Sequence, residues 1–91
     1  MTFLNPKKRD DVSARVIAGE TVVLDRDGGR VHQLNATASY VWERCDGSAS
    51  PTEIARDLSE QYDVEPDQAA SDVTSLVGQF RELGLLESAV Q

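Results

Sequence analysis

Residues 21–45, TVVLDRDGGRVHQLNATASYVWERC, change period halfway along, and that change decides the fold. Thr21–Asp25 and Arg30–Leu34 are short runs rich in branched side chains, which suit a pleated surface. Asp27-Gly28-Gly29 between them is turn chemistry, with glycine where positive φ is needed. After Leu34 the apolar residues Ala38, Val41, Trp42 and Cys45 recur at helical spacing. Asn35 stands before them as an N-cap whose side-chain oxygen can take a free helix N–H.

Working outward toward the N-terminus, Ser13–Ala18 reads as another strand, joined to Thr21–Asp25 through Gly19-Glu20. Connections this short make the three strands antiparallel neighbours. Residues 1–11 are polar and carry Lys7-Lys8-Arg9 followed by Asp10-Asp11, and they read as a flexible, solvated tail. Toward the C-terminus, Asp46-Gly47 stops the first helix, with Gly47 suited to the left-handed C′ position. Ser50-Pro51-Thr52-Glu53 is a capping box with proline at the first helical position. Its apolar stripe is Ile54, Ala55, Leu58 and Tyr62. Glu65-Pro66-Asp67 starts a third helix with the stripe Ala69, Val73, Leu76, Val77, Phe80 and Leu83. Gly84 ends that helix, Leu85 and Leu86 fold back as an apolar tail, and residues 88–91 fray. The expected fold is α+β, a three-stranded antiparallel sheet followed by a three-helix bundle, with a trihelical core like that of helix-turn-helix proteins.

Composition narrows the function. The 91 residues make one domain, placed at 12–87. One Cys and one His leave no Cys-based zinc cage and no multi-His centre, so no metal or cofactor is expected. No apolar run approaches a membrane span and no secretory signal is visible, so the expected compartment is the cytoplasm, away from membranes. The net charge of -7 is uneven: residues 1–34 carry +1 and residues 35–91 carry -8. The third helix, with Glu65, Asp67, Asp72 and Glu82 against Arg81, is acidic. Duplex affinity rests on Lys and Arg neutralising phosphates, so this balance opposes nucleic acid as a partner. No nucleophile motif surrounds any serine, and Gly28-Gly29 is hairpin chemistry rather than a phosphate loop. Cys45 and Trp42 read as core, His32 as a surface strand residue, and no catalytic residue is assigned.

The ordered set Gly19-Glu20 with Val22–Asp25, Leu34-Asn35, Thr37-Ala38, Trp42, Asp46-Gly47, Glu53-Ile54-Ala55, Tyr62, Val64, Asp72-Val73 and Leu83 with Gly84–Leu86 resembles the PqqD family over roughly residues 12–87. The chain departs from the family at His32-Gln33, where an aromatic residue is expected. The resemblance implies a winged-helix-like domain without enzymatic activity. Such a domain binds the leader of a ribosomally made precursor peptide and presents it to a modifying enzyme, as in pyrroloquinoline quinone biosynthesis. It further implies that the peptide adds to the third strand, at Arg30, Val31, His32, Gln33 and Leu34, beside Asp72, Val73, Leu76, Gln79 and Phe80 of the third helix. An edge strand offers unpaired N–H and C=O groups to an incoming strand. An open edge strand in so small a domain also invites pairing with a second copy as a homodimer. The alternative reading is a winged-helix DNA-binding regulator.

Overall fold

A computed structural model describes residues 5–25 and 29–87. Three strands come first: β1 (Val12–Ile17), β2 (Glu20–Asp25) and β3 (Arg30–Leu34). Three helices follow: α1 (Ala36–Arg44), α2 (Pro51–Tyr62) and α3 (Pro66–Glu82). The sheet is antiparallel in the order β1-β2-β3, so β1 and β3 are its two edges. This is the expected α+β order, and it is compatible with a winged-helix-like label.

Local chemistry explains most boundaries. The β1–β2 turn has two central residues, Ala18 and Gly19, with φ of +53° and +82°. Positive φ at both positions marks the type I′ turn, whose twist matches that of the strands it joins. Glycine adopts this geometry freely, whereas an L-alanine pays about 1–2 kcal/mol. Ala18→Asn is therefore expected to stabilise the domain by about 1 kcal/mol, read as a higher urea midpoint at unchanged slope. Of the second hairpin turn, Gly29 has φ of +63°, and Asp27-Gly28 lies outside the described residues.

The Asn35 side chain accepts from Ala38 N–H at 2.9 Å, as expected of an N-cap. The capping box is present in both directions: Glu53 N–H donates to Ser50 Oγ and Ser50 N–H donates to the Glu53 carboxylate. Those bonds from Ser50 hold the Glu53 carboxyl below its usual range. A carboxyl with a lowered folded pKa contributes stability above its ordinary value and loses it as pH falls through the lowered one, so acid loosens this cap only when pH falls below the usual carboxylate range. At the end of α3, Gly84 takes φ of +75°, its N–H donates to Arg81 C=O, and Leu85 N–H donates to Phe80 C=O. These two bonds make a Schellman motif.

Gly47 is a correction. The helix already ends at Arg44 with Cys45 as its C-cap, so Gly47, at φ of +87°, belongs to the following turn. Asp46 holds that turn by accepting from both the N–H and the hydroxyl of Ser48.

The core lies between the helices and the inner face of the sheet. Trp42 packs edge-to-face on Phe80, with ring centroids 5.3 Å apart. Val23, Val41, Ile54, Leu58, Val73 and Leu85 close around them, all buried. Leu83 is exposed and leaves the predicted stripe, while Tyr62 is half-exposed and rests edge-to-face on Tyr40. Cys45 is fully buried, its thiol donating to Val41 C=O, and burial pushes its pKa up to about 11. Reaction requires the thiolate. Native Cys45 should therefore resist alkylation at neutral pH and react at the rate of global unfolding, followed by mass spectrometry in a urea series.

Residues 1–11 are predicted as a flexible tail, and residues 5–9 depart from that. Pro6 is buried and its C=O accepts from Gly47 N–H. Lys8 N–H donates to Cys45 C=O, Arg9 N–H to Leu85 C=O and Glu87 N–H to Lys7 C=O. The segment thus threads between the α1–α2 turn and the chain that follows α3. Lys8 Nζ also stands over the Trp42 ring, 5.6 Å from its centroid. The fraying expected of residues 88–91 lies outside the described residues.

Candidate functional site

The third strand is an open edge, and the direction of its main-chain groups follows from the register. Thr21 pairs with Leu34, Val23 with His32 and Asp25 with Arg30. At the first of these pairs the Ser39 hydroxyl is spliced into the ladder. It accepts from Thr21 N–H at 2.9 Å and donates to Leu34 C=O at 3.1 Å. Thr21 and Leu34 therefore turn their main-chain groups toward each other. Residues two apart in an antiparallel strand share a direction. Arg30, His32 and Leu34 face β2, and Val31 and Gln33 present their N–H and C=O to the open side.

Side chains alternate the other way. Val31 and Gln33 lie on the outer face of the sheet with Val22 and Leu24, their register partners being Leu24 and Val22. Val31 is 65% exposed, and Gln33 donates to the Glu20 carboxylate at 2.7 Å. His32 lies on the inner face beside Val23, and its Nε2 is buried with no hydrogen-bond partner among the described residues.

Beyond the open edge stands α3. No Cα pair of β3 and α3 comes within 8 Å, because α1 holds the two elements apart. Where β3 hands over to α1, a shallow groove of about 340 Å³ opens against α3. Asn35 and Thr37 line one wall, and Asp72, Ser75, Leu76 and Gln79 line the other. Leu76 is the apolar floor residue, and Asp72 is braced by a hydrogen bond from Gln68 Nε2. The wall on α3 carries a carboxylate and no base.

The structure divides the predicted residues. Asp72, Leu76 and Gln79 line the groove, and Arg30, Val31 and Gln33 form the exposed edge. Val73 and Phe80 are corrected: at 0% and 1% exposure they are core, and the stripe reading of the same residues was the sound one. Leu34 is likewise buried, so its side chain anchors β3 instead of facing a ligand. Sequence reasoning missed Asn35, Thr37 and Ser75. Asn35 was visible only as a cap, and the 3.6 period placed Ser75 one position from Leu76 without saying that this flank faces β3.

Comparison with known proteins bears on the family and the fold. No curated protein sequence matches the chain. The family model described as coenzyme PQQ synthesis protein D, PqqD, matches residues 20–86. Among solved structures, TbiB1 in complex with the TbiA(beta) leader peptide superposes with a TM-score of 0.82 at 25% identity. That match covers 93% of this chain and 99% of the other. A lasso peptide synthetase B1 complexed with the leader peptide gives 0.82 at 30% identity, covering 92% and 99%. The PqqD truncation of Methylobacterium extorquens PqqCD is a stand-alone recognition element for ribosomally synthesised and post-translationally modified peptides. It shares the fold, with a TM-score of 0.75 at 24% identity, covering 91% and 88%. With most of its length matched by the family model, and its three strands and three helices in the same arrangement, the chain belongs to the PqqD family.

Proposed function

We propose that this protein is a non-enzymatic adaptor in the cytoplasm. It captures the leader of a ribosomally made precursor peptide as a fourth strand on β3 and presents it to a modifying enzyme. The pathway is pyrroloquinoline quinone biosynthesis or a related peptide-modification system. The carrying observation is the outward main chain of Val31 and Gln33 beside a groove that ends at α3. Main-chain pairing supplies affinity with little sequence demand, and the groove takes alternate side chains of the added strand. Asp72 favours a basic peptide residue there. The two leader-bound relatives support the same partner class. A homodimer through β3 would compete for the edge that the peptide needs. The DNA-binding alternative has no observation behind it, since the α3 wall is acidic.

The test is affinity capture from native lysate with the tagged protein, followed by synthesis of the retained leader. Bound leader should slow amide exchange at Val31 and Gln33. Val31→Pro and Gln33→Pro each remove an outward N–H, which an edge strand tolerates. Each should weaken leader binding about tenfold, the worth of one main-chain hydrogen bond. Binding that survives both substitutions in a folded protein would refute strand addition.

A further inference from the structure

Among the described residues the opposite edge of the sheet is also open, and it has features that β3 lacks. We infer that β1 pairs with β1 of a second copy, antiparallel about a two-fold axis at Ala14, giving a dimer with a continuous six-stranded sheet. The inference does not depend on the peptide-binding reading.

The first observation is direction. The two-residue turn makes Ile17 and Glu20 a hydrogen-bonded pair, so Ile17, Arg15 and Ser13 face β2. Val12, Ala14 and Val16 therefore turn their main-chain groups outward. Val12 agrees with this, its N–H donating to Arg9 C=O instead of to β2.

The second is overhang. No Cα of β1 lies within 8 Å of a helix Cα, so the sheet projects one strand beyond the helical layer. Ala14 and Val16 sit on the inner face, yet both are exposed, Val16 by 65%. An edge strand is normally blunted by proline, a bulge or an inward-pointing charge. In β1 the register runs unbroken from Val12 to Ile17, there is no proline, and Arg15, the one charge, lies on the outer face.

The third observation selects the occupant. Residues 12–16, VSARV, are palindromic in pattern about Ala14. The two-fold sets Val12 against Val16 of the second copy on the inner face and Ser13 against its Arg15 on the outer face. No like charges stand opposite each other. Each Ala14 N–H meets the other Ala14 C=O, and each Val16 N–H meets the other Val12 C=O. The incoming Val16 also lies at the mouth of the hollow between β1 and α1, where Val12, Ala14 and Trp42 supply apolar wall and a mixed-sign rim of Lys7, Lys8, Arg9, Asp10, Glu43 and Asp46 surrounds them. The same operation on β3 would set Arg30 against the buried Leu34. Both β3 edges stay open at the far ends of the sheet.

Sedimentation equilibrium from micromolar to millimolar concentration tests this. The protein should approach twice the mass of one chain. Ala14→Pro removes an outward N–H, and Val16→Lys places a charge on an exposed side chain. Both should sediment as monomers with unchanged circular dichroism, whereas Gln33→Pro should remain dimeric. Ala14→Cys should form a disulfide-linked dimer on mild oxidation, since Cα atoms of a hydrogen-bonded antiparallel pair lie about 5.5 Å apart. A monomer at every concentration, a dimer that survives both β1 variants, or a dimer lost through Gln33→Pro would each overturn the proposal. Failure of a leader peptide to bind would count against the adaptor reading and leave this one untouched.

Discussion

Phe80→Ala should cost roughly 3–5 kcal/mol, the range for deleting a fully buried aromatic ring. Phe80 is 1% exposed and makes the edge-to-face contact with Trp42. It also sits three residues before the α3 C-cap, Leu83, where its C=O accepts from Leu85 N–H and returns the chain toward the core. The loss therefore combines transfer, cavity and the pinning of Leu85 and Leu86. A domain of this size has a total stability of about 5–14 kcal/mol, so the variant stands near its folding threshold. Urea unfolding followed by Trp42 fluorescence measures the loss. The same variant separates a core role from a binding role. If Phe80 were part of the peptide wall, Phe80→Leu would lower leader affinity while sparing stability. The buried ring predicts the reverse: Phe80→Leu destabilises measurably, and its folded fraction binds leader as the parent does.

Phe80 also shows what the chain declares about itself. Helical periodicity placed Val73 and Phe80 on the buried stripe, and the family resemblance placed them on the peptide wall. Periodicity was correct because it reports the face that meets the core, whereas a resemblance assigns roles to a whole helix flank. Asn35, the Ser50–Glu53 box and the Gly84 stop were legible because capping is short-range chemistry between residues at most a few positions apart. The path of residues 5–9 was not. Pro6, Lys8 and Arg9 are tied by main-chain bonds to residues about 40 and 75 positions away, and main-chain groups leave no mark on composition. The groove was legible in half. Asp72, Leu76 and Gln79 follow from a helix flank, but Asn35 and Thr37 become its other wall only because α1 starts directly where β3 ends. Three short antiparallel strands in sequence necessarily leave two open edges, and only the register showed that β1 is the less protected one.

Ser39→Ala should cost about 2–6 kcal/mol, large for the loss of one hydroxyl. Serine in the middle of a helix normally contributes little, and nothing in the sequence distinguishes Ser39 from a solvent-facing residue. Its hydroxyl, however, satisfies Thr21 N–H and Leu34 C=O at once, with both bonds buried. Alanine leaves a donor and an acceptor without partners, and each orphan costs about 1–3 kcal/mol. The relay also joins α1 to the last residue of β3, so the damage is local as well as global. Amide exchange at Thr21 should accelerate beyond what the lower global stability explains. Leader binding should weaken even under conditions where the variant is fully folded, because the C-terminal end of β3 is no longer held against α1. The competing outcome is closure of the gap, with Thr21 N–H reaching Leu34 C=O directly as in an ordinary ladder. In that case the loss would fall below about 1 kcal/mol, exchange at Thr21 would stay slow, and leader affinity would be unchanged. Thr21 exchange decides between these outcomes because it reports on the one bond whose partner differs between them.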